Sequence, residues 1–325
     1  MTDEEKRDLR DETLVFEPLL DRDGLRVSRS PWGPDDEIGR LNWLTPERQA
    51  DVLARADGSR VFDLACDHFL GMPSWTVAAD PRYEIWMTHT PAGTLNDDLT
   101  GAGSAAHERY SYAGSAVSMY SHTGTHVCSL QHIGHHGMFW NGWTAEANLG
   151  SRSWNVGGRF PPIVARAVLL DIAALKKVDC LPESYPITPD DIQAACEVQS
   201  THPKHGDVVL LRTGRMSSWP DPARFLSLPP GLGMEAARYL CEDIGAMCLG
   251  LDVGGEALPP EEPDTFLPVH AYLFATAGAP LIENLWLEDL AREQVWDCAF
   301  VALPLKLIGS TGAPARPIAM PLRQG

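Results

Sequence analysis

A single α/β domain around a mixed sheet is the fold class the sequence predicts, and three observations predict it. Short apolar, β-branched runs recur along the 325 residues, helical patterns alternate with them, and no Pro/Gly/Ser-rich linker divides the chain. Several of the runs are apolar throughout instead of alternating, the mark of strands covered by helices.

Residues 1–27 are expected to form an acidic N-terminal arm, with at most a short helix, lying on the surface or over a neighbouring subunit; residues 28–325 form the α/β domain. The stretch SPWGPDDEIG is a turn-rich loop, after which Thr45-Pro46-Glu47 reads as a helix start, with Thr45 as N-cap and Pro46 at the first helical position. Strands are expected at VFDLA (61–65), AVSMYSH (116–122), IVARAVLLDI (163–172), DVVLLRT (207–213), AMCLGLDV (246–253), APLIENL (279–285) and CAFVALPLKL (298–307). Helices are expected at TPDDIQAACEVQ (188–199), at MEAARYLCEDIG (234–245), and at PVHAYLFATAG (268–278), closed by Gly278. The chain has no internal repeat, no GxGxxG and no GxxxxGK[ST], so nucleotide binding has no support.

The hydrophobic content of 44% suffices for a full core, and the formal charge of −18 with a pI near 4.9 disfavours nucleic acid and anionic lipid as partners. The opening MTDEEKRDLRDE has no apolar h-region and does not read as a signal peptide, and no run of 18 apolar residues suggests a membrane span. Seven scattered cysteines without a CxxC pair are expected to be reduced, mostly buried thiols, as in a cytoplasmic protein.

The chemistry concentrates in SHTGTHVCSLQHIGHH, residues 121–136, which holds five of the 11 histidines and one cysteine. With a two-residue period His122, Gly124, His126, Cys128, Leu130 and His132 share one face, and Gly124 leaves space between two imidazoles. Imidazole and thiolate are zinc ligands, and a short segment completed by distant residues is a common way to assemble a catalytic metal site. Alternatively the stretch is a polar loop of hydrogen-bonded histidines, or Cys128 is a nucleophile beside a histidine base. His135 and His136 break the alternation and read as solvated loop residues. Glu283 ends the apolar run PLIE, where a buried carboxylate needs a cation or strong donors. His270, near a helix start, reads on its own as a core or capping histidine.

The pattern HTGTHVCSLQH at 122–132 resembles the HxGTHxDxPxH motif of the metal-dependent cyclase-like hydrolases, which include bacterial kynurenine formamidase and isatin hydrolase. The likeness extends in order from residue 31 to the C-terminus through SPWGPDDEIGRLN, GDVVLLRTG, PGLGMEAARYL, LPVHAYL, LIENL and LPLKLIGSTGAPARPIA. It implies a swivelling β/β/α-type single domain around a mixed sheet with flanking helices, assembled as a homodimer or larger homo-oligomer. It implies a hydrolase of small cyclic or N-acyl amides or lactones. The implied metal ligands are His122, His126, His270 and Glu283, with Cys128 at the position of the motif aspartate and His132 as acid/base. Trp75, in a segment similar to the family's G-M-P-x-W, is the implied wall of the substrate pocket.

Two positions depart from the pattern: Cys128 replaces the aspartate, and Leu130 replaces the proline. One sulfur on a short arm cannot reproduce a bridging carboxylate, which points to a single Zn²⁺ in preference to Mn²⁺ or a two-metal centre. The expected activity is a metal-dependent hydrolase using activated water. A lyase, cyclase or dehydratase on the same scaffold, or a non-catalytic binding protein with an altered metal site, are the alternatives. Phe139 and Trp140 hint at a pocket for a flat or apolar ligand, although such aromatics are more often core.

Overall fold

The computed structural model describes residues 16–98, 100–144, 149–150, 153–154, 159–260 and 265–323. Most of the expected N-terminal arm lies outside them. Its described end forms a hairpin of β1 (Pro18–Arg22) and β2 (Leu25–Ser28) around Asp23-Gly24, both with positive φ as a tight two-residue turn requires. Val27 of this hairpin is buried and Phe16 packs against the core, so this end of the arm is seated on the domain.

Helix α1 (Pro46–Arg55) starts as expected, with the Thr45 side chain accepting from the Arg48 N–H. After β3 (Phe62–Asp63) the chain makes an excursion: β4 (Glu84–His89), α2 (Pro91–Asp97), α3 (Ser104–Arg109) and β5 (Gly114–Ser118). The expected strand at 116–122 is thus shifted, and β5 pairs with β4 in a ribbon apart from the main sheet. Ile85, Trp86, Met87 and Val117 are exposed on it, so no buried face imposes the inside–outside alternation by which such a strand is recognised.

The site-bearing strand β6 (His126–Cys128) is followed by the short pair β7 (Leu149–Gly150) and β8 (Ser153–Trp154). Then come β9 (Ile163–Asp171), α4 (Ile172–Leu175), β10 (Pro186–Ile187), α5 (Pro189–Gln199) and β11 (Val208–Arg212). Next are α6 (Pro222–Leu226), β12 (Gly231–Leu232), α7 (Met234–Arg238), β13 (Cys248–Leu251), α8 (Pro268–Ala271) and β14 (Leu281–Glu283). The chain closes with α9 (Glu288–Arg292), β15 (Asp297–Ala302), β16 (Gly312–Pro314) and β17 (Ile318–Pro321).

Nine strands form one curled mixed sheet in the order β16-β6-β14-β13-β11-β9-β15-β17-β3. The central four, β14, β13, β11 and β9, are parallel, and antiparallel strands flank them on both sides. The unbroken apolar runs are explained by burial on both faces. Val168, Leu170, Val209 and Leu211 pack with Ile192, Ala236 and Leu273 on one side. Their neighbours Ala167, Leu169, Val208 and Leu210 pack with Leu41, Trp43, Leu287 and Leu290 on the other. Each fully buried leucine contributes about 1.5–3 kcal/mol.

Two of the expected helices are each a short α-turn that widens into a π-turn. Residues Met234–Arg238 run into Tyr239–Asp243, and Pro268–Ala271 into Tyr272–Thr276. The buried guanidinium of Arg40 donates to the carbonyls of Ala277, Cys241 and Ala246, tying together the ends of both. The Asp36 carboxylate gathers Ser30, Ile38, Gly39, Asn42 and Trp140. The segment SPWGPDDEIGRLN is therefore a clamp between loops and helix ends. Trp140 is fully buried in this clamp, where it is part of the core and not of a ligand pocket.

Candidate metal centre and active-site cavity

The centre forms where β6 lies between β14 and β16. His126 and Cys128 project from the same face of β6, as the two-residue period requires. His122 does not share that strand, because residues 121–125 form a bend with Gly124 at φ +64. The bend brings its ring back over β6 all the same. His122 Nδ1 lies 3.3 Å from Cys128 Sγ, and Cys128 Sγ lies 3.2 Å from His126 Nε2. One ligand atom from each of the three residues falls within 4.8 Å of the others, and all three residues are buried.

The space left by Gly124 serves a different purpose from the one expected: a Cβ there would stand 2.7 Å from the His68 ring. Glycines make room for the site's own histidines elsewhere. A Cβ on Gly312 would lie 2.5 Å from His122 Cε1, and one on Gly255 would lie 2.6 Å from His270 Cε1. Beside Gly312, the Thr311 hydroxyl meets His122 Nε2 at 3.0 Å, which gives the segment GSTGAP a role at the site.

The antiparallel register of β14 sets Glu283 opposite His126. Its carboxylate spans two histidines, with Oε2 3.0 Å from His126 Nε2 and Oε1 2.8 Å from His270 Nε2. His270 in turn places Nδ1 2.6 Å from Glu256 Oε2, which also accepts from the His270 backbone N–H. Glu256 is a partner that sequence reasoning missed, and its other carboxylate oxygen is buried without a hydrogen bond. The structure thus gathers His122, His126 and Cys128 into one cluster, joins Glu283 to it through His126, and reaches His270 through Glu283. His132 comes from the loop after β6 and stacks on His122, with ring centroids 3.8 Å apart.

The electrostatics follow from burial. It pushes His122 well below its usual range and His132 down to about 3, so both imidazoles are neutral. Burial also raises the Cys128 thiol, and the nearby Glu283 charge adds to this. A buried, protonated thiol at the end of a strand is unlike the exposed, electropositive setting of a nucleophilic cysteine. For His270 burial opposes the charge, but Glu256 and Glu283 overcome it and raise the group to about 10. Burial likewise opposes ionisation of Glu283, and its hydrogen bonds to His126 and His270 hold it well below the carboxylate range.

The donor set suits a cation. His126 Nδ1 lies 2.8 Å from the Gly124 carbonyl, so it carries the proton and donates. Its Nε2 faces the Glu283 carboxylate and, without a second proton, presents only a lone pair to it. Acceptor facing acceptor in a buried site needs positive charge between them, supplied by a proton or by a metal ion.

A cavity of about 260 Å³ opens onto this cluster. His122, His132, His270 and Glu283 line it, and Trp75 forms part of its wall together with Phe225, Val253, Leu258 and Phe266. Phe139 is not among its lining residues.

The family model described as "Putative cyclase" matches residues 62–255, which carry β6 and His132. The chain belongs to the Cyclase family. Among solved structures, one described as a novel cyclase is similar at 26% identity and a TM-score of 0.77, over 89% of this chain and 95% of that one. Isatin hydrolase A from Ralstonia solanacearum is similar at 22% identity and a TM-score of 0.59, covering 85% and 98%. A "predicted metal-dependent hydrolase" from Bacillus stearothermophilus follows at 24% identity and a TM-score of 0.51, covering 80% and 97%. These last two likenesses are of fold. No curated protein matches the chain. All seven cysteines are free thiols, and no helix among the described residues is long and apolar enough to cross a membrane.

Proposed function

We propose that the protein is a metal-dependent hydrolase of a small amide, cyclic or N-acyl, or of a lactone. The observation that carries this reading is the convergence of two imidazoles and a thiol within 4.8 Å at an apolar cavity, with a bridging carboxylate beside them. His122, His126 and Cys128 would hold the ion, with Glu283 and His270 adjoining, and a thiol in the set favours zinc over manganese. A divalent ion held there supplies Lewis acidity toward a carbonyl and lowers the pKa of water.

The protein's own groups would do the rest. His132, kept neutral by burial and lining the cavity, accepts a proton at its imidazole and returns it to the departing amine or alcohol. Glu256 fixes the tautomer and orientation of His270 by accepting from Nδ1. Trp75, Phe225 and Phe266 hold the apolar part of the substrate and keep bulk water away from the reacting bond.

The reading includes a homodimer or larger assembly in the cytoplasm, supported by the exposed apolar surface of the β4–β5 ribbon, which a second copy would cover. Light scattering at micromolar concentration should give at least twice the 35.6 kDa chain mass. The central test is elemental analysis of the purified protein with turnover of a panel of formyl amides, lactams and lactones. A divalent metal lost in His126→Ala, together with hydrolysis of one substrate class, is expected. Full hydrolytic activity of metal-free protein would overturn the proposal.

A further inference from the structure

The cavity holds a second carboxylate that this chemistry does not use. Asp80 lines it together with Tyr120, on the side of the segment that also supplies Trp75 and Ala78. Among the described lining residues there is no lysine or arginine. Glu283 is already satisfied by two histidines, whereas Asp80 has no ion-pair or hydrogen-bond partner among the described residues. Asp80 is half-buried, so its carboxylate stays within reach of solvent and is free to pair with a cationic group that enters the cavity.

The backbone holds Asp80 in this position. The Thr76 carbonyl accepts from the Ala79 N–H at 3.0 Å, and Ala79 adopts φ +64, a left-handed conformation that residues other than glycine rarely take. On the far side the Pro81 carbonyl accepts from the Tyr120 N–H at 3.2 Å, pinning the turn against the segment that leads to His122. The Tyr120 phenol feels the result. Burial, and then the Asp80 charge, raise it, so that it remains a neutral donor.

We infer that Asp80 is a specificity-determining residue, and that the cavity takes an apolar, ring-bearing substrate carrying a protonated amine and rejects one carrying a carboxylate. An ammonium group would gain a charge-assisted hydrogen bond from Asp80 and attraction from the faces of the neighbouring aromatic rings. An anion would meet the unpaired carboxylate of Asp80, whereas the Glu283 carboxylate is already matched by His270. The inference rests on the hydrolase reading of the same site, since it names the substrate class of that reaction.

Binding distinguishes the two without turnover. Tryptamine, indole-3-ethanol and indole-3-acetate present one ring with an ammonium, a neutral hydroxyl and a carboxylate. Titrated calorimetrically into chelator-treated protein at pH 7, where no metal competes for the carboxylate probe, tryptamine should bind about tenfold more tightly than the alcohol, the fold-change of one charge-assisted contact. The acetate should bind more weakly than both. In Asp80→Asn the advantage of tryptamine should fall to about twofold or less while the alcohol is bound as before; Asp80→Glu should keep the advantage. Near-UV circular dichroism confirms that both variants are folded. An advantage that survives in Asp80→Asn, an acetate bound as tightly as the amine, or no binding of any indole overturns the assignment of Asp80. Absence of metal or of amide turnover with the binding order intact would instead overturn the hydrolase reading alone.

Discussion

Glu283 stands opposite His126 across the β6–β14 ladder, and its Oε2 lies 3.0 Å from His126 Nε2. The two residues are far apart in sequence and are brought together by strand register alone. A slip of one residue in β14 would turn Glu283 to the other face of the sheet, toward Val127 and Ile282, and dismantle the centre. The catalytic reading therefore depends on the packing that fixes β14, namely Leu281 and Ile282, both fully buried on opposite faces.

His132→Ala is expected to retain its metal and lose turnover. The ring stacks on His122 and lines the cavity, and among the described residues no hydrogen bond joins it to Cys128 or Glu283. Loss of a positioned proton-transfer group should lower kcat about 10²–10⁴-fold. Metal content by elemental analysis and kcat on the same preparation check this; unchanged kcat would remove His132 from the mechanism.

Glu256→Gln tests a residue that acts through another. Glu256 reaches the centre only by way of His270, accepting from both its Nδ1 and its backbone N–H. Weakening such an outer partner should reduce metal affinity or activity about 10–100-fold without unfolding the chain. A competitive zinc titration with a chromophoric chelator measures the affinity, and wild-type values in both assays would make Glu256 purely structural.

How far the centre could be read in advance depended on how local each signal was. His122, His126 and Cys128 stand within seven residues, so their meeting was legible even though a bend, not a continuous strand, carries His122. His270 was drawn in only by family likeness, and Glu283 by that likeness and its place at the end of an apolar run, because register and a π-turn place them. Glu256 and Asp80 are two among 44 acidic residues in an acidic chain, and no local pattern separates them from solvated ones. Only the structure does so, by burying Glu256 against His270 and by placing Asp80 in the wall of the cavity. The central strands were legible because burial on both faces leaves unbroken apolar runs. The β4–β5 ribbon was not, because neither of its faces is buried in the described chain.

The His270 pair makes a prediction about pH. Its folded value is raised from 6.5 to about 10 by Glu256 and Glu283 against the opposing effect of burial. A histidine raised in this way contributes stability that is fully present below about pH 6.5 and is lost as pH rises through about 10. Chelator-treated protein should therefore melt at progressively lower temperature from pH 7 to pH 10 by scanning calorimetry. His270→Gln should flatten that slope. A melting temperature that rises over this range in the wild-type protein would contradict the paired imidazolium.

The last prediction concerns Cys128, which replaces the aspartate of the family motif. Its sulfur lies 3.3 Å from His122 Nδ1 and 3.2 Å from His126 Nε2, so it sits where any ion held by the two imidazoles must meet it. In the protein without metal, burial and the Glu283 charge keep the thiol protonated. A divalent cation would reverse this by favouring the thiolate, so zinc uptake should release a proton from Cys128 that Cys128→Ser cannot supply. Calorimetric zinc titration in buffers of different ionisation enthalpy counts those protons. Cys128→Asp should bind zinc less selectively and gain affinity for manganese, because a carboxylate suits harder ions. Iodoacetamide gives an independent check: the thiol should be protected in metal-loaded protein and react more readily after chelation. A thiol that alkylates equally in both states, with zinc affinity unchanged in Cys128→Ser, would make Cys128 a small buried residue filling the space of the missing carboxylate. The ion would then be left to His122, His126 and Glu283.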